Sequence, residues 1–157
     1  MLSRTEAKNL VIRWQEDGHK VVFTNGCFDI LHRGHVDYLE AAKAAGDKLI
    51  IGLNSDISVR KLKGNSRPFQ NEQDRRAILT ALSCVDEVVI FDEDTPAELI
   101  GELLPDILIK GGDYDEDEIV GRDTVLAHGG EIIIIPFVEG ASTSNIISRI
   151  LSSKALD

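Results

Sequence analysis

The stretch KVVFTNGCFDILHRGH, residues 20 to 35, decides how this chain is read. Lys20 to Thr24 is a short β-branched and aromatic run closed by Asn25 and Gly26, the pattern of a buried parallel strand entering a tight turn. His32 and His35 then stand three residues apart where a helix begins, a spacing that lets both imidazoles face one point. A helix N-terminus offers free N–H groups and the positive end of the helix dipole, so that point suits phosphate. Two histidines at this spacing also fit a solvated helix end. Their place after the first strand of an alternating α/β pattern is what turns the pair toward chemistry.

Upstream, Ser3 and Glu6 form a capping-box pattern, and Ala7, Leu10, Val11 and Trp14 recur at helical spacing, which predicts a helix over 3–17 ended by Gly18. Downstream, His35 to Ala45 reads as a helix stopped by Gly46, and Lys48 to Leu53 as a second strand, completing a βαβ unit. The alternation continues with a helix near Glu72 to Leu82, a strand at Glu87 to Phe91 and a helix from Pro96 to Leu103. Strands follow at Ile107 to Ile109 and Ile132 to Ile135. A last helix begins around Ser142 to Ser144, with Ile146, Ile147, Ile150 and Leu151 on one face. Gly111 to Asp123 is acidic and aperiodic and reads as a long loop, or a loop with one short helix; its carboxylates lack the spacing of a calcium loop. Five short apolar strands separated by helices predict an α/β, Rossmann-like fold: an open five-stranded parallel sheet with helices on both faces.

The chain reads as one domain, 1–157, with an N-terminal helix over 1–18 and a catalytic core over 20–150. Its 43% hydrophobic and 28% charged content is that of an ordinary globular protein. The strongest apolar run, Ile132 to Val138, is short and interrupted by Pro136, so neither a membrane span nor an export signal is expected. A net charge of -10 opposes a polyanionic partner such as nucleic acid. A small anionic substrate needs only a local cationic patch. Cys27 and Cys84 form no CxxC pair and no zinc spacing, which fits a reducing, cytoplasmic compartment.

Ligands of open parallel sheets lie beyond the carboxyl ends of the strands. After the first strand that rule selects Thr24, Asn25, Gly26, Cys27, Phe28 and Asp29, followed by the histidines. After the fourth it selects Lys110 with Gly111, Gly112 and Asp113, where the glycines let backbone pass close to a ligand. Ser142, Thr143 and Ser144 open the last helix, either as caps or as phosphate contacts. Arg60, Lys61, Lys63, Arg67, Arg75 and Arg76 crowd into one stretch of an otherwise acidic chain. Arg60, Arg67 and Arg76 fit a solvated positive face as readily as a binding one. The commoner phosphate cradles, GxxxxGK[ST] and GxGxxG, are absent from the sequence.

GCFDILHRGH resembles the signature of the cytidylyltransferase-like nucleotidylyltransferase superfamily. The resemblance extends through LNSDISVRKLKG, QDRRAIL, CVDEVV, LIKGGDY and EGASTSNII, in order, over about residues 20 to 150. More narrowly, LKGNSRP, DEDTP, LPDILIKGGDY, EIVG and PFVEGASTS resemble the adenylyltransferase half of the bifunctional heptose kinase and adenylyltransferases of lipopolysaccharide precursor synthesis. The resemblance implies that His32 and His35 hold the triphosphate and the charge growing at the α-phosphorus. Lys61, Lys63 and Arg75 are then phosphate contacts, Gly34 and the residues from Thr24 to Asp29 surround the phosphates, and Lys110 to Asp113 meet base and ribose. Thr143 and Ser144, with Ser142, return to the triphosphate. It further implies ATP and D-glycero-β-D-manno-heptose 1-phosphate as substrates, a homodimer, and a separate kinase upstream. Neutralising a triphosphate calls for Mg²⁺, bound mainly through the triphosphate. Asp29 fits three roles: orienting a histidine or a basic side chain, a water-mediated contact to Mg²⁺, or a purely structural place in the turn. A cytidylyltransferase acting on glycerol 3-phosphate shares the same frame. A non-catalytic nucleotide sensor is the reading from another class.

The chemistry suits these residue types. A sugar 1-phosphate is mostly dianionic near neutral pH, its second pKa being about 6, and needs no general base. The catalytic task is to hold two anions in line and to stabilise charge on the α-phosphate and the departing pyrophosphate.

Overall fold

The computed structural model describes residues 2–112, 115–136 and 143–153. Helix α1, Arg4–Glu16, starts at the capping box: the Ser3 hydroxyl accepts the Glu6 N–H while the Glu6 carboxylate accepts the Ser3 N–H at 2.7 Å. Strand β1, Val21–Gly26, leads through a turn into α2, Arg33–Ala44, and back to β2, Lys48–Asn54. Then come α3, Asp56–Lys63, α4, Glu72–Thr80, β3, Glu87–Phe91, α5, Ala97–Leu103, and β4, Ile107–Gly111. A 3₁₀ turn at Glu116–Glu118, helix α6, Arg122–Ala127, strand β5, Glu131–Ile135, and helix α7, Thr143–Ser153, complete the order.

The five strands are all parallel in the order β3-β2-β1-β4-β5. Side chains alternate between faces along each strand. Val21 and Phe23 of β1, Ile50 of β2 and Leu108 of β4 pack with Ala7, Val11, Leu99, Leu103 and Val125, beneath α1, α5 and α6. Val22, Leu49, Ile51, Ile107 and Ile109 point the other way and pack with Leu39, Ala42 and Leu79, beneath α2 and α4. Both faces of the sheet are therefore covered, which is why its strands read as continuous apolar runs rather than alternating ones.

Two helices escaped the sequence reading. Helix α3 carries four charged side chains in its eight residues and is held by tertiary contacts: Ser55 caps it, and the buried Ser58 hydroxyl donates to the Glu93 carbonyl at 3.1 Å. Helix α6 is short and begins inside the segment expected to be loop. The apolar stripe of α7 is present, but Ile150 and Leu151 are 51% and 64% exposed. Among the described residues, no helix is long and apolar enough to cross a membrane.

The sheet opens where the site lies. Strand β1 stays in register with β2 from Val21↔Lys48 to Gly26↔Leu53, whereas its pairing with β4 is confined to Val22↔Ile107 and Phe23↔Leu108. Beyond those pairs β1 and β4 splay apart. The connections from β1 and β4 run to opposite sides at this point, so the gap is the switch-point crevice at which such sheets take ligands.

Candidate active site

The crevice widens into a cavity of about 660 Å³, a size typical of small-molecule sites. Asn25 and Gly26 from the end of β1 and Cys27 to Asp29 from the following turn form one wall. The first turn of α2 contributes His32, Gly34 and His35, and Lys110 and Gly111 enter from β4. Lys63 arrives from the end of α3, and Thr143 and Ser144 from the start of α7. Of the expected site residues these are brought together. Asp113 and Ser142 lie outside the described residues.

His32 is the N-cap of α2, in extended conformation and with no side-chain capping bond, so its imidazole is directed elsewhere. It stacks on His35 with ring centroids 3.9 Å apart, and the Phe28 ring lies tilted against His35 with centroids 5.4 Å apart. The Nδ1 atoms of both histidines are buried without a hydrogen-bond partner among the described residues. Burial pushes the His35 pKa down to about 4, helped by the neighbouring His32 and Lys63, and burial lowers that of His32 as well. Both rings are thus neutral at pH 7 in the free protein, each with one N–H to donate.

Gly26 leaves room for a neighbouring ring. A Cβ there would lie 2.9 Å from the Phe28 ring, so the ring already fills that space. Phe28 itself holds a left-handed φ of 44°, unusual for a bulky residue. It seats the ring both in the core and beside His35. Thr24 is fully buried behind the cavity wall, where its hydroxyl meets the Tyr38 hydroxyl at 2.6 Å. Tyr38 also approaches the Ile109 carbonyl at 3.5 Å, so it spans the place where β1 and β4 part. Lys110 crosses the same gap further out, donating to Asn25 Oδ1 at 2.6 Å, and burial lowers its pKa. Burial raises the pKa of the Cys27 thiol, which disfavours its thiolate at neutral pH. Gly112 takes a φ of 114°, and its N–H donates to the Ile135 carbonyl, ending the β4–β5 ladder just behind the cavity.

Asp29 is almost fully buried, and its carboxylate accepts the Phe69 and Gln70 N–H groups and the Arg67 Nε at 2.7 to 3.0 Å. Burial works to raise its pKa, but those donors together hold it below the usual carboxylate range. Asp29 therefore ties the 67–70 loop to the site. It is also the one acidic side chain among the described residues lining the cavity, and no three His, Cys, Asp or Glu side chains converge there as a metal cage. The described residues form no Mg²⁺ cage of their own.

Two expected phosphate contacts stand elsewhere. Arg75 is fully buried, and its guanidinium donates to the carbonyls of Gln70, Cys27 and Asn54 and to the Asp56 carboxylate, all within 2.9 Å. It ties four segments together behind the cavity and does not line it. Lys61 points to the surface and pairs with Asp94 at 2.8 Å, a hydrogen bond that raises its pKa. Three lining residues were not in the sequence reading of the site: Tyr38, Asn54 and Arg67. Tyr38 carries the spacing signal that finds it, three residues beyond His35 on the same helix. Asn54 stands at the carboxyl end of β2, and Arg67 belongs to the basic stretch read as ambiguous. In sum, among the described residues the cavity of a chain with net charge -10 is lined by His32, His35, Lys63, Arg67 and Lys110 against a single carboxylate.

Residues 23–149 match the family model described as cytidylyltransferase-like. The bifunctional protein HldE of Syntrophotalea carbinolica is 61% identical over 134 residues, covering 85% of this chain and 27% of that protein. HldE of Wolinella succinogenes is 53% identical over 153 residues, covering 98% of this chain and 31% of the relative. The chain thus spans less than a third of the length of these relatives. Among solved structures, the lipopolysaccharide core biosynthesis protein of Thermoplasma volcanium superposes with a TM-score of 0.64 at 30% identity, covering 79% of this chain and 100% of that one. The pantothenate synthetase of Thermus thermophilus gives 0.60 at 18% identity over 88% of this chain and 61% of its own, a likeness of fold alone.

Proposed function

The chain belongs to the cytidylyltransferase-like family of nucleotidyltransferases, and on that footing we propose that it transfers AMP from ATP to D-glycero-β-D-manno-heptose 1-phosphate in the cytoplasm, releasing pyrophosphate. The observation that carries this reading is the stacked pair His32 and His35 on the first turn of α2, facing a cationic cavity at the switch point of the sheet. The resemblance to the heptose adenylyltransferases supplies the substrates, and the likeness to HldE and to a lipopolysaccharide core biosynthesis protein supports the coarser reading of a nucleotidyltransferase of that pathway.

In the proposed reaction an oxygen of the acceptor's phosphate attacks the α-phosphorus. A new P–O bond forms, the bond from the α-phosphorus to the bridging oxygen breaks, and its electron pair leaves on pyrophosphate. The N–H groups at the start of α2 and the two imidazoles receive the triphosphate, and Thr143 and Ser144 close on it from α7. Lys63 and Lys110 add positive charge, and Gly111 gives the nucleotide a close backbone wall. No residue is asked to remove a proton from the acceptor. Mg²⁺ comes with the triphosphate as its counter-ion in this scheme, and no protein group is assigned to it.

Pyrophosphate release tests the reading, with heptose 1-phosphate or glycerol 3-phosphate paired with ATP or CTP. Release with ATP and heptose 1-phosphate is expected. Release confined to CTP or to glycerol phosphate would keep the mechanism and overturn the substrates. Nucleotide binding without release in any pairing would favour a sensor.

A further inference from the structure

Resting on the transferase reading above, we infer that Arg67 receives the phosphate group of the acceptor and that Asp29 is a positioning residue that aims it. The guanidinium of Arg67 is fixed on two sides. Its Nε donates to the buried Asp29 carboxylate at 2.7 Å, and its Cζ lies over the Phe69 ring, 4.8 Å from the centroid. Phe69 is itself held to Asp29 through its N–H, so carboxylate, ring and guanidinium form one unit. The Arg67 side chain is 14% exposed and lines the cavity, and its terminal amino groups have no hydrogen-bond partner among the described residues. A guanidinium anchored through Nε presents its remaining N–H groups as a planar fork, the geometry that fits two oxygens of one phosphate.

The position of Arg67 assigns it to the acceptor rather than to the triphosphate. His32 and His35 stand at the start of α2 and Lys63 at the end of α3, whereas Arg67 enters the cavity from the 67–70 loop, tied through Asp29 to the turn after β1. In-line displacement requires the attacking oxygen and the leaving pyrophosphate on opposite sides of the α-phosphorus. With the triphosphate assigned to the imidazoles, Lys63, Lys110 and the start of α2, Arg67 is the lining cation among the described residues left to meet the acceptor's phosphate. Asp29 contributes by fixing the fork before the substrate arrives, which lowers the ordering cost of binding.

The test compares wild type, Arg67→Ala and Arg67→Lys in two measurements: steady-state pyrophosphate release, and calorimetric titration of heptose 1-phosphate in the presence of a non-hydrolysable ATP analogue. Because Asp29 also holds loop backbone, the Arg67 variants carry the test. Arg67→Ala is expected to weaken acceptor binding and raise its KM roughly tenfold or more, the loss of a charged hydrogen-bond pair, with the KM for ATP within about twofold of wild type. Arg67→Lys, which keeps charge but loses the fork, should fall between. Unchanged acceptor affinity in Arg67→Ala would overturn the inference, as would an equal rise in both KM values or failure of the acceptor to bind wild type. Arg67-dependent binding without turnover by wild type would sink the transferase reading and leave the anion site standing.

Discussion

The imidazoles of His32 and His35 stack 3.9 Å apart, so a proton on either ring opposes a proton on the other. In the free protein this repulsion adds to burial and keeps His35 neutral down to about pH 4. A bound triphosphate reverses the balance, because an adjacent anion favours the charged imidazole. Nucleotide binding should therefore take up protons, and affinity should rise as the pH falls from 7.5 to 6. Calorimetry in buffers of different ionisation enthalpy measures the uptake. His35→Asn should remove most of it and lower kcat by roughly 10²-fold, the usual loss for one preorganised donor. Binding with no proton uptake by wild type would separate the pair from the triphosphate.

The same depressed pKa makes a statement about stability. His35 ionises near 6.5 in the unfolded chain and at about 4 in the folded one. Between those values the unfolded chain binds more protons, so folding stability rises with pH across that window. Its contribution is intact above about pH 6.5 and is lost as the pH falls toward 4. Urea midpoints measured from pH 7 to pH 4.5 should fall less steeply in His35→Gln than in wild type; parallel curves would show that His35 does not feel this burial.

Gly26 and Phe28 form a second coupled pair. Adding one methyl at Gly26 places it 2.9 Å from the Phe28 ring, which in turn packs against His35. Gly26→Ala should cost about 1–3 kcal/mol of stability through overpacking and lower turnover by displacing the imidazole. Adding Phe28→Leu should recover part of the stability, as urea titration of the single and double variants would reveal. Additive losses would mean that the two residues do not share the space.

Lys61 and Lys63 lie two residues apart near the end of α3, yet only Lys63 lines the cavity, while Lys61 pairs with Asp94 at the surface. Lys63→Ala should raise the KM for nucleotide and lower kcat. Lys61→Ala should leave both within about twofold, since an exposed ion pair contributes little to stability or positioning. Steady-state kinetics decide the matter, and a reversed pattern would refute the assignment of Lys63.

Much of the fold was legible because burial on both faces of a parallel sheet leaves a plain mark: Val21 to Thr24, Leu49 to Leu53 and Ile132 to Ile135 are apolar runs with few other readings. Helix α3 was not, since DISVRKLK is only eight residues long, carries four charged side chains and owes its place to the Ser55 cap and the Ser58 contacts. At the site, His32, His35, Gly111 and Lys110 were legible because strand ends and a helix start fix where they must lie. Arginines were not. A guanidinium finds phosphate oxygens and backbone carbonyls equally suitable, and nothing in NSRPFQNEQDRR tells that Arg67 reaches the cavity while Arg75 turns inward to three carbonyls.

Arg75 makes that distinction testable. Its guanidinium joins the turn after β1, the end of β2, the 67–70 loop and the first turn of α3, through Cys27, Asn54, Gln70 and Asp56. Removing it would leave those carbonyls and a carboxylate without their donor inside the fold, a loss on the order of 3 kcal/mol. Lysine cannot substitute, because one ammonium cannot reach acceptors spread around a planar fork. Arg75→Lys and Arg75→Met should both lower the urea midpoint markedly, with bound nucleotide restoring part of it by mass action. A phosphate-binding arginine behaves in the opposite way: its loss weakens nucleotide binding and leaves the stability of the free protein nearly intact. Denaturation of the free variants beside nucleotide titration at low temperature distinguishes the two, and a stable Arg75→Met with weakened nucleotide binding would return Arg75 to the phosphates.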